Sequence, residues 1–389
     1  MKIALIQDEI YLPSFGGGVK ANRCLLEGLA RHGHECLAIS RALTRSSDGP
    51  RNMLQFAEEM KARGTLSQEV EPNVFSYKFE GVQVDAFNFS GQEEQRDYLV
   101  RRIRAMDPDW VFVTDDKRRI MLQAAMEAAP SRVILLLQTI VQLPFGPLSV
   151  DRSPEYTELV KAAQAIIVIS NFMKDYIRDH GDLDAHLLPL PVYGSGPFPD
   201  LSGFARGFVT MINPCELKGV SIFMGLAREF PDIEFAAVPT WGADQDLIDR
   251  LRELPNVRIL KAANDIEEIL GQTRILLVPS LWPETFGYVV PEAMLRGIPV
   301  LASDIGGLPE AKLGVDYVLP VVPGEFRKEG FFSPPQDLAP WSHALSELLS
   351  DEGAYQQCSQ QSRQATHDFV ATVSVSRFEA LMNQLGKGR

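Results

Sequence analysis

A chain of 389 residues is too long for one typical hydrophobic core, so we expect two domains. Its formal net charge of −13 argues against a general nucleic-acid-binding protein and weakly against strong attachment to anionic membranes. The four cysteines and six histidines show no metal-binding spacing, and no apolar run is long enough to span a bilayer, which favours a reduced cytoplasmic protein whose histidines hold no catalytic metal.

The first half alternates buried-strand patterns with helical patterns, which is typical of a doubly wound parallel sheet. Strands are predicted at 2–7, 35–40, 82–89, 111–114, 132–137 and 165–169, and helices at 20–33, 94–105, 119–129 and from about 171. The polar segment 48–71 is predicted to be a variable surface segment or, by the family resemblance described below, an acceptor-side segment. Gly16, Gly17 and Gly18 lack the dinucleotide-binding spacing, so a plain tight turn explains this loop as well as a ligand contact does.

A segment rich in proline and glycine, 190–203, is the best linker in the chain. After it the strand and helix alternation resumes, and a loop is predicted at 323–335. The predicted strands are 207–212, 233–238, 257–260, 274–280, 298–302 and 317–319, and the predicted helices are 220–230, 243–253, 266–271, one that contains Pro291 and ends at Gly297, 337–350, 354–368 and 373–385.

The segment 283–310 is predicted to continue a buried strand through a loop into a short helix and a second buried strand. A helix N-terminus favours phosphate oxygens, and Gly287 would let the backbone approach a ligand closely. Glu284 and Glu292 would repel a diphosphate, so we expect them to accept hydrogen bonds from hydroxyl groups. These features describe a sugar-nucleotide site, although an ordinary βαβ unit with solvated acids fits the same pattern.

The same segment resembles the donor-site signature of glycosyltransferase family 4, which comprises retaining enzymes of the GT-B fold. Glu284 and Glu292 have the spacing of the two signature glutamates, and P-E-T-F-G, E-A-M-x-x-G-x-P-V and G-G-x-x-E, which ends at Glu310, also match. The resemblance implies two Rossmann-like domains that face each other across a cleft. An acceptor domain would span 1–190, a nucleotide-sugar donor domain would span 204–369, and a C-terminal helix at about 370–389 would pack back on the first domain.

The resemblance also assigns roles to individual residues. Lys218, the amides after Phe286 and the backbone of the glycine loop would stabilise the leaving diphosphate, Glu284 would hold the sugar hydroxyls, and Glu292 would hold the ribose. Two positions depart from the family, because Gln138 stands where many members have histidine and Asn213 stands near the usual arginine. The predicted catalytic residues are therefore Lys218 and Glu284, and the predicted substrate-binding residues are Gly17, Gly18, Gln138, Asn213, Asn264, Phe286, Gly287, Tyr288 and Glu292.

The function that the resemblance implies is transfer of a hexosyl-type group from a nucleotide-diphosphate sugar to an acceptor hydroxyl. Configuration would be retained by front-side attack without a metal or a cofactor. A UDP-sugar is the predicted donor, the acceptor is a small molecule or a glycan, contact with a membrane surface stays open, and no oligomeric state is predicted. The alternatives are a sugar-nucleotide epimerase of the same fold, a pyridoxal-phosphate phosphorylase and a non-catalytic sugar-nucleotide-binding protein.

Overall fold

The computed structural model describes residues 1–14, 16–44, 50–65, 67–114, 116–194, 196–263, 265–328 and 330–387. The chain divides into two compact units, Met1–Gly194 together with Val373–Arg389, and Ser195–Thr372. Each unit contains a mainly parallel sheet with helices, so the predicted α/β class is confirmed. The acceptor and donor roles of the two units stay predictions.

Among the residues that the structure describes, the sheet of the first unit has nine strands. The strands are β1 (Lys2–Ile10), β2 (Glu35–Arg41), β3 (Gln68–Glu71), β4 (Val74–Phe79), β5 (Val82–Phe87), β6 (Trp110–Thr114), β7 (Val133–Leu137), β8 (Ala165–Val168) and β9 (His186–Leu187). The helices between them are α1 (Gly17–Arg31), α2 (Met53–Ala62), α3 (Gln92–Met106), α4 (Met121–Ala128), α5 (Pro154–Lys161) and α6 (Asn171–Gly181). The spatial order β3-β4-β5-β2-β1-β6-β7-β8-β9 makes the chain change direction between β1 and β6.

Two features of the first unit differ from the sequence-based expectation. Glycine's low helix propensity predicts a loop over the glycine run, yet α1 begins at Gly17, so Gly17 and Gly18 lie in its first turn. The polar segment 48–71 contains α2 and β3, and the side chain of Asn52 caps α2 by accepting a hydrogen bond from the amide of Gln55 at 3.0 Å. Its polarity hides these elements because much of α2 and all of β3 lie away from the core.

The described part of the second unit has a six-stranded parallel sheet and a separate hairpin. Its strands are β10 (Phe208–Ile212), β11 (Phe235–Val238), β12 (Val257–Ile259), β13 (Thr273–Val278), β14 (Val300–Ser303), β15 (Val318–Leu319), β16 (Glu325–Arg327) and β17 (Gly330–Phe332). Its helices are α7 (Val220–Glu229), α8 (Gln245–Arg252), α9 (Glu267–Leu270), α10 (Val289–Met294), α11 (Leu308–Ala311), α12 (Ala339–Ser350) and α13 (Glu352–Thr372), with a short 3-10 helix at Glu216–Lys218. The last helix, α14 (Val375–Gly386), belongs to the first unit.

The strand order β12-β11-β10-β13-β14-β15 places β10 beside β13, and the chain changes direction between them. Strands β13 and β14 are largely buried aliphatic runs, as expected for parallel strands covered on both faces. The prediction of a loop at 323–335 is wrong, because β16 and β17 form an antiparallel hairpin there. The aromatic rings of Phe326 and Phe331 pack against Trp282, which stabilises the hairpin. Within the described residues, no helix combines the length and apolar character that crossing a bilayer requires.

Lys312 is a fully buried lysine near β14, where its ammonium donates a hydrogen bond to the carbonyl of Val300 at 2.5 Å. Burial lowers the pKa of Lys312 from 10.5 to about 8. Between pH 8 and 10.5, Lys312 is therefore protonated in the unfolded chain and neutral in the folded chain. Its contribution to the free energy of unfolding rises with pH in this range.

We expect Lys312→Met to raise the free energy of unfolding at pH 7 by up to about 3 kcal/mol. Loss of the hydrogen bond from Lys312 to Val300 should make this gain smaller. The advantage of the variant should shrink between pH 8 and pH 9.5. Urea unfolding of both proteins at the three pH values measures this difference. An advantage that is the same at all three values would contradict the assignment of this effect to a buried charge.

Candidate functional site

The candidate site lies at the carboxyl ends of β10 and β13 in the second unit. These two parallel strands are neighbours, and the chain leaves them in opposite directions. Ligands of open α/β sheets bind outside the carboxyl ends of strands at such a switch point. Lys218 follows β10 and Glu284 follows β13, so the fold itself brings the two predicted catalytic residues to the same place.

Lys218 and Glu284 form an ion pair between the ammonium Nζ and the carboxylate Oε1. The hydroxyl of Ser280 donates a second hydrogen bond to the same carboxylate oxygen at 2.9 Å. The Lys218 side chain is 26% exposed and that of Glu284 is 17% exposed, so both charges are reachable from solvent. Sequence reasoning gave the two residues separate tasks, whereas the structure makes them direct partners.

The loop that carries Lys218 is fixed against the loop that carries Glu284. Gly219 has a φ of 75°, and a β-carbon there would lie 1.9 Å from the carbonyl oxygen of Pro279. Only glycine accommodates both the backbone conformation and this contact. The lysine-glycine pair therefore has a structural reason as well as a chemical one, since Gly219 sets the distance between the two loops.

A second backbone contact fixes the other side of the Glu284 loop. The amide of Gly307 donates a hydrogen bond to the carbonyl of Glu284 at 2.7 Å, and a β-carbon at Gly306 would lie 2.7 Å from the Glu284 nitrogen. Gly287 has a φ of 89°, and a β-carbon there would lie 2.6 Å from Leu308 Cδ2. The expectation that Gly287 opens the backbone to a ligand is therefore incomplete, because this glycine makes room for Leu308.

The helix after this loop, α10, is only six residues long, shorter than predicted, and Pro291 is its third residue. The ring of Phe286 is 2% exposed and packs against Tyr288 and Phe369, at centroid distances of 5.9 and 5.8 Å. Its side chain belongs to the core, so only its backbone is left for a substrate. Glu292 lies within α10 and is 9% exposed, so only a small part of this residue contacts solvent.

Asn213 lies directly after β10 with a φ of 57° and is 6% exposed. Its side-chain oxygen accepts a hydrogen bond from the amide of Gly242 at 2.9 Å. That oxygen therefore holds the turn at 239–242 in place. Nothing in the sequence pattern indicates this contact, because the two residues are far apart in the chain. Asn264, which is predicted to bind substrate, lies outside the described residues.

In the first unit, Gln138 belongs to a buried network at the carboxyl ends of β1, β6 and β7. Its amide nitrogen donates to the side-chain oxygen of Asn22 at 2.6 Å and to the carbonyl of Gly18 at 3.4 Å. Asn22 in turn donates to the side-chain oxygens of Gln7 at 3.1 Å and Thr114 at 3.4 Å. Gln138 thus supports the first turn of α1, where Gly17 and Gly18 lie, and Asn22 and Gln7 are partners that sequence reasoning missed.

Asp116 is another residue that sequence reasoning did not use. Burial raises the pKa of its carboxyl group, and hydrogen bonds from the amides of Leu122 and Ile120 and from the Tyr156 hydroxyl oppose this rise. The Tyr156 hydroxyl donates to the carboxylate at 2.9 Å. Because three donors converge on it from the start of α4 and from α5, Asp116 fixes the turn after β6. Among the residues that the structure describes, no group of three or more metal-ligating side chains occurs.

Known proteins resemble this chain in sequence and in fold. Residues 207–351 match the family model described as glycosyl transferases group 1. An exopolysaccharide phosphotransferase of Streptomyces coelicolor is 25% identical over 300 residues, which cover 74% of this chain and 30% of that protein. The alpha-maltose-1-phosphate synthase of Mycolicibacterium smegmatis is 29% identical over 180 residues, 39% of this chain and 46% of the relative. This chain spans less than half the length of these curated relatives.

Solved structures resemble the whole chain. The HepE protein of Anabaena in complex with UDP-glucose aligns over 100% of both chains with a TM-score of 0.65 and 17% identity. Its fold is GT-B, as in the other structural neighbours. The match to the family model covers the unit in which Lys218 and Glu284 meet. Residues 207–351 of the second unit are therefore similar to the glycosyl transferases group 1 family, and the chain has the GT-B fold.

Proposed function

We propose that this protein is a retaining glycosyltransferase that moves a hexosyl-type group from a nucleotide-diphosphate sugar to an acceptor hydroxyl without a metal. The observation that carries the proposal is the meeting of Lys218 and Glu284 at the switch point of the second unit. A cation beside an acceptor-only carboxylate suits a ligand that carries a diphosphate next to sugar hydroxyls. The match of residues 207–351 to a glycosyltransferase domain supports the same reaction class.

The chemical step is a substitution at the anomeric carbon of the donor sugar. The acceptor oxygen forms a new bond to that carbon, the bond from the carbon to the diphosphate oxygen breaks, and the acceptor proton passes to the leaving phosphate. Negative charge grows on the diphosphate as the sugar becomes cation-like, so a positive charge placed there in advance lowers the barrier. Lys218 supplies that charge once the donor displaces part of its contact with Glu284.

The two signature glutamates would then serve the two sugars of the donor. Glu284, released in part from Lys218, would accept hydrogen bonds from the transferred sugar, and Ser280 holds its carboxylate in position. Glu292 would bind the ribose through its small exposed surface. A UDP-sugar is our proposed donor, in line with the UDP-glucose that HepE binds.

A thermal-shift series tests the proposed donor class. We expect UDP or a UDP-sugar to raise the melting temperature in the presence of EDTA, and GDP, ADP and TDP to do so less. A ligand at a hundred times its dissociation constant should stabilise the folded state by about 2.7 kcal/mol. The same screen with added magnesium tests metal independence, because a response that needs magnesium would contradict it.

Arg258→Gln is the matched control for this series, since Arg258 forms an exposed ion pair with Glu234 in the same unit at 3.4 Å. We expect this variant to respond to UDP as the unmodified protein does. If none of the nucleotides stabilises either protein, the donor-binding proposal is wrong. If a nucleotide sugar binds but no acceptor panel yields a product, the non-catalytic alternative replaces the transferase.

A further inference from the structure

We propose that the first unit binds an oxyanion of the acceptor, a phosphate ester or a carboxylate, through Arg41 and Arg118. This inference rests on the proposed function, because it names the chemical class of the acceptor. The two arginines converge on one carboxylate, that of Asp8. The oxyanion site consists of these three residues, Asp8, Arg41 and Arg118.

The fold places the oxyanion site at the switch point of the first sheet. Asp8 lies on β1, Arg41 is the last residue of β2, and Arg118 follows β6. Strand β1 lies between β2 and β6, and it is parallel to both. The three residues therefore come together at the carboxyl ends of neighbouring strands, at the point where the chain changes direction.

A local irregularity in β1 lies at this point. The pairing of β1 with β2 shifts register between Ile6 and Ile10, and Ile10 then lies opposite Arg41. Such irregularities re-aim side chains and are frequent beside functional sites. Asp8 lies within this interval and is buried, with a side chain 5% exposed.

Hydrogen bonding leaves the arginines able to bind a further anion. Asp8 Oδ1 accepts from Arg41 Nε at 2.7 Å and from a terminal nitrogen of Arg118 at 3.4 Å. Arg41 donates to Asp8 through Nε, and its two terminal nitrogens have no hydrogen-bond partner among the described residues. Those nitrogens form the fork that binds phosphate or carboxylate with two parallel hydrogen bonds.

The oxyanion site contains two cations and a shared acid. Two guanidinium groups share the Asp8 carboxylate, and the buried Asp116 carboxyl group is a second acid close enough to interact with Asp8. The neighbouring pair of Lys117 with Glu9 is neutral as a whole. The Arg41 and Arg118 side chains are 25% and 28% exposed, so a ligand can reach them. The ring of Phe87, 5.7 Å from the Arg41 guanidinium, holds that group in place.

Binding of glucose, glucuronate, glucose 6-phosphate and inorganic phosphate, measured by calorimetry at constant ionic strength, tests the inference. We expect the phosphates, glucuronate or both to bind and neutral glucose to bind at least tenfold more weakly. Arg41→Gln and Arg118→Gln should each lower the affinity for the anion at least tenfold. Arg41→Lys should recover only part of the loss, since lysine keeps the charge but lacks the fork.

The control is Arg178→Gln, because Arg178 forms exposed ion pairs with Asp175 and Asp179 on α6 of the same unit. It should bind the anions as the unmodified protein does. The UDP-induced thermal shift of every variant shows that the second unit is intact and separates this inference from the donor proposal. Anion binding that is absent, or equally strong in Arg41→Gln, Arg118→Gln and Arg178→Gln, would overturn the inference even if UDP binds normally.

Discussion

Replacing Lys218 by methionine should lower kcat/KM for glycosyl transfer by about 10²–10³-fold, the range typical of losing one stabilising group for a developing oxyanion. The variant should also bind UDP more weakly. Methionine keeps the unbranched shape of the side chain but removes the ammonium, and the Glu284 carboxylate then faces the diphosphate without its cation. Steady-state kinetics and UDP calorimetry measure the two effects.

Arg258→Gln again serves as the control for Lys218→Met, because it removes a cation from an ion pair that lies outside the site. Its activity should equal that of the unmodified protein. Lys218→Arg keeps a positive charge and should recover part of the lost activity. Full activity in Lys218→Met would remove Lys218 from the mechanism.

Glu284→Gln should lower kcat by about 10- to 100-fold, the value of one or two hydrogen bonds that a charged group makes to sugar hydroxyls. Its effect on UDP affinity should be opposite to that of Lys218→Met. Glutamine removes the negative charge that Lys218 contacts, so the ammonium becomes fully available to the diphosphate and UDP should bind as tightly or more tightly. Kinetics and calorimetry on the same preparation separate catalysis from binding.

Glu234→Gln is the matched control, since Glu234 is the exposed partner of Arg258. The comparison between Glu284→Gln and Lys218→Met decides whether the two residues have different tasks. If UDP affinity falls to the same extent in both variants, the ion pair holds the loop rather than serving two parts of the donor.

Much of this site could be predicted from the sequence because its parts are local. The strand, loop and helix patterns place Lys218 after β10 and Glu284 after β13, and parallel strands bring their carboxyl ends to one edge. The ion pair between the two side chains could not be predicted, because the hydrophobic periodicity of a segment does not determine the order of strands in the sheet. The order β10 beside β13 results from the packing of the whole sheet.

The glycines show a second limit of sequence reasoning. A glycine next to a helix indicates either a close approach to a ligand or a close approach to another loop, and the pattern is the same for both. At Gly219, Gly287 and Gly306 the structure shows protein atoms where a β-carbon would be. Asn213 and Gln138 likewise use side-chain atoms in hydrogen bonds to distant parts of the chain, which no local pattern reveals.

The hairpin of β16 and β17 was missed for a different reason. Its strands are three residues each, too short to show alternation, and the first of them begins and ends with a charged residue. What holds them is the contact of Phe326 and Phe331 with Trp282, which lies far earlier in the chain. Short elements of this kind depend on tertiary packing rather than on propensity.

The backbone contacts around Glu284 restrict how this protein can diversify. Pro279 lies against Gly219 on one side, and Gly307 is bonded to Glu284 on the other, so neither loop can lengthen without separating Lys218 from Glu284. New donor specificity must therefore come from exchanging side chains around a fixed frame. The β16 and β17 hairpin shares this restriction, because its aromatic rings pack against Trp282, two residues before Glu284. Libraries designed to change the sugar should vary side chains near the ion pair and should keep the lengths of both loops and of the hairpin unchanged.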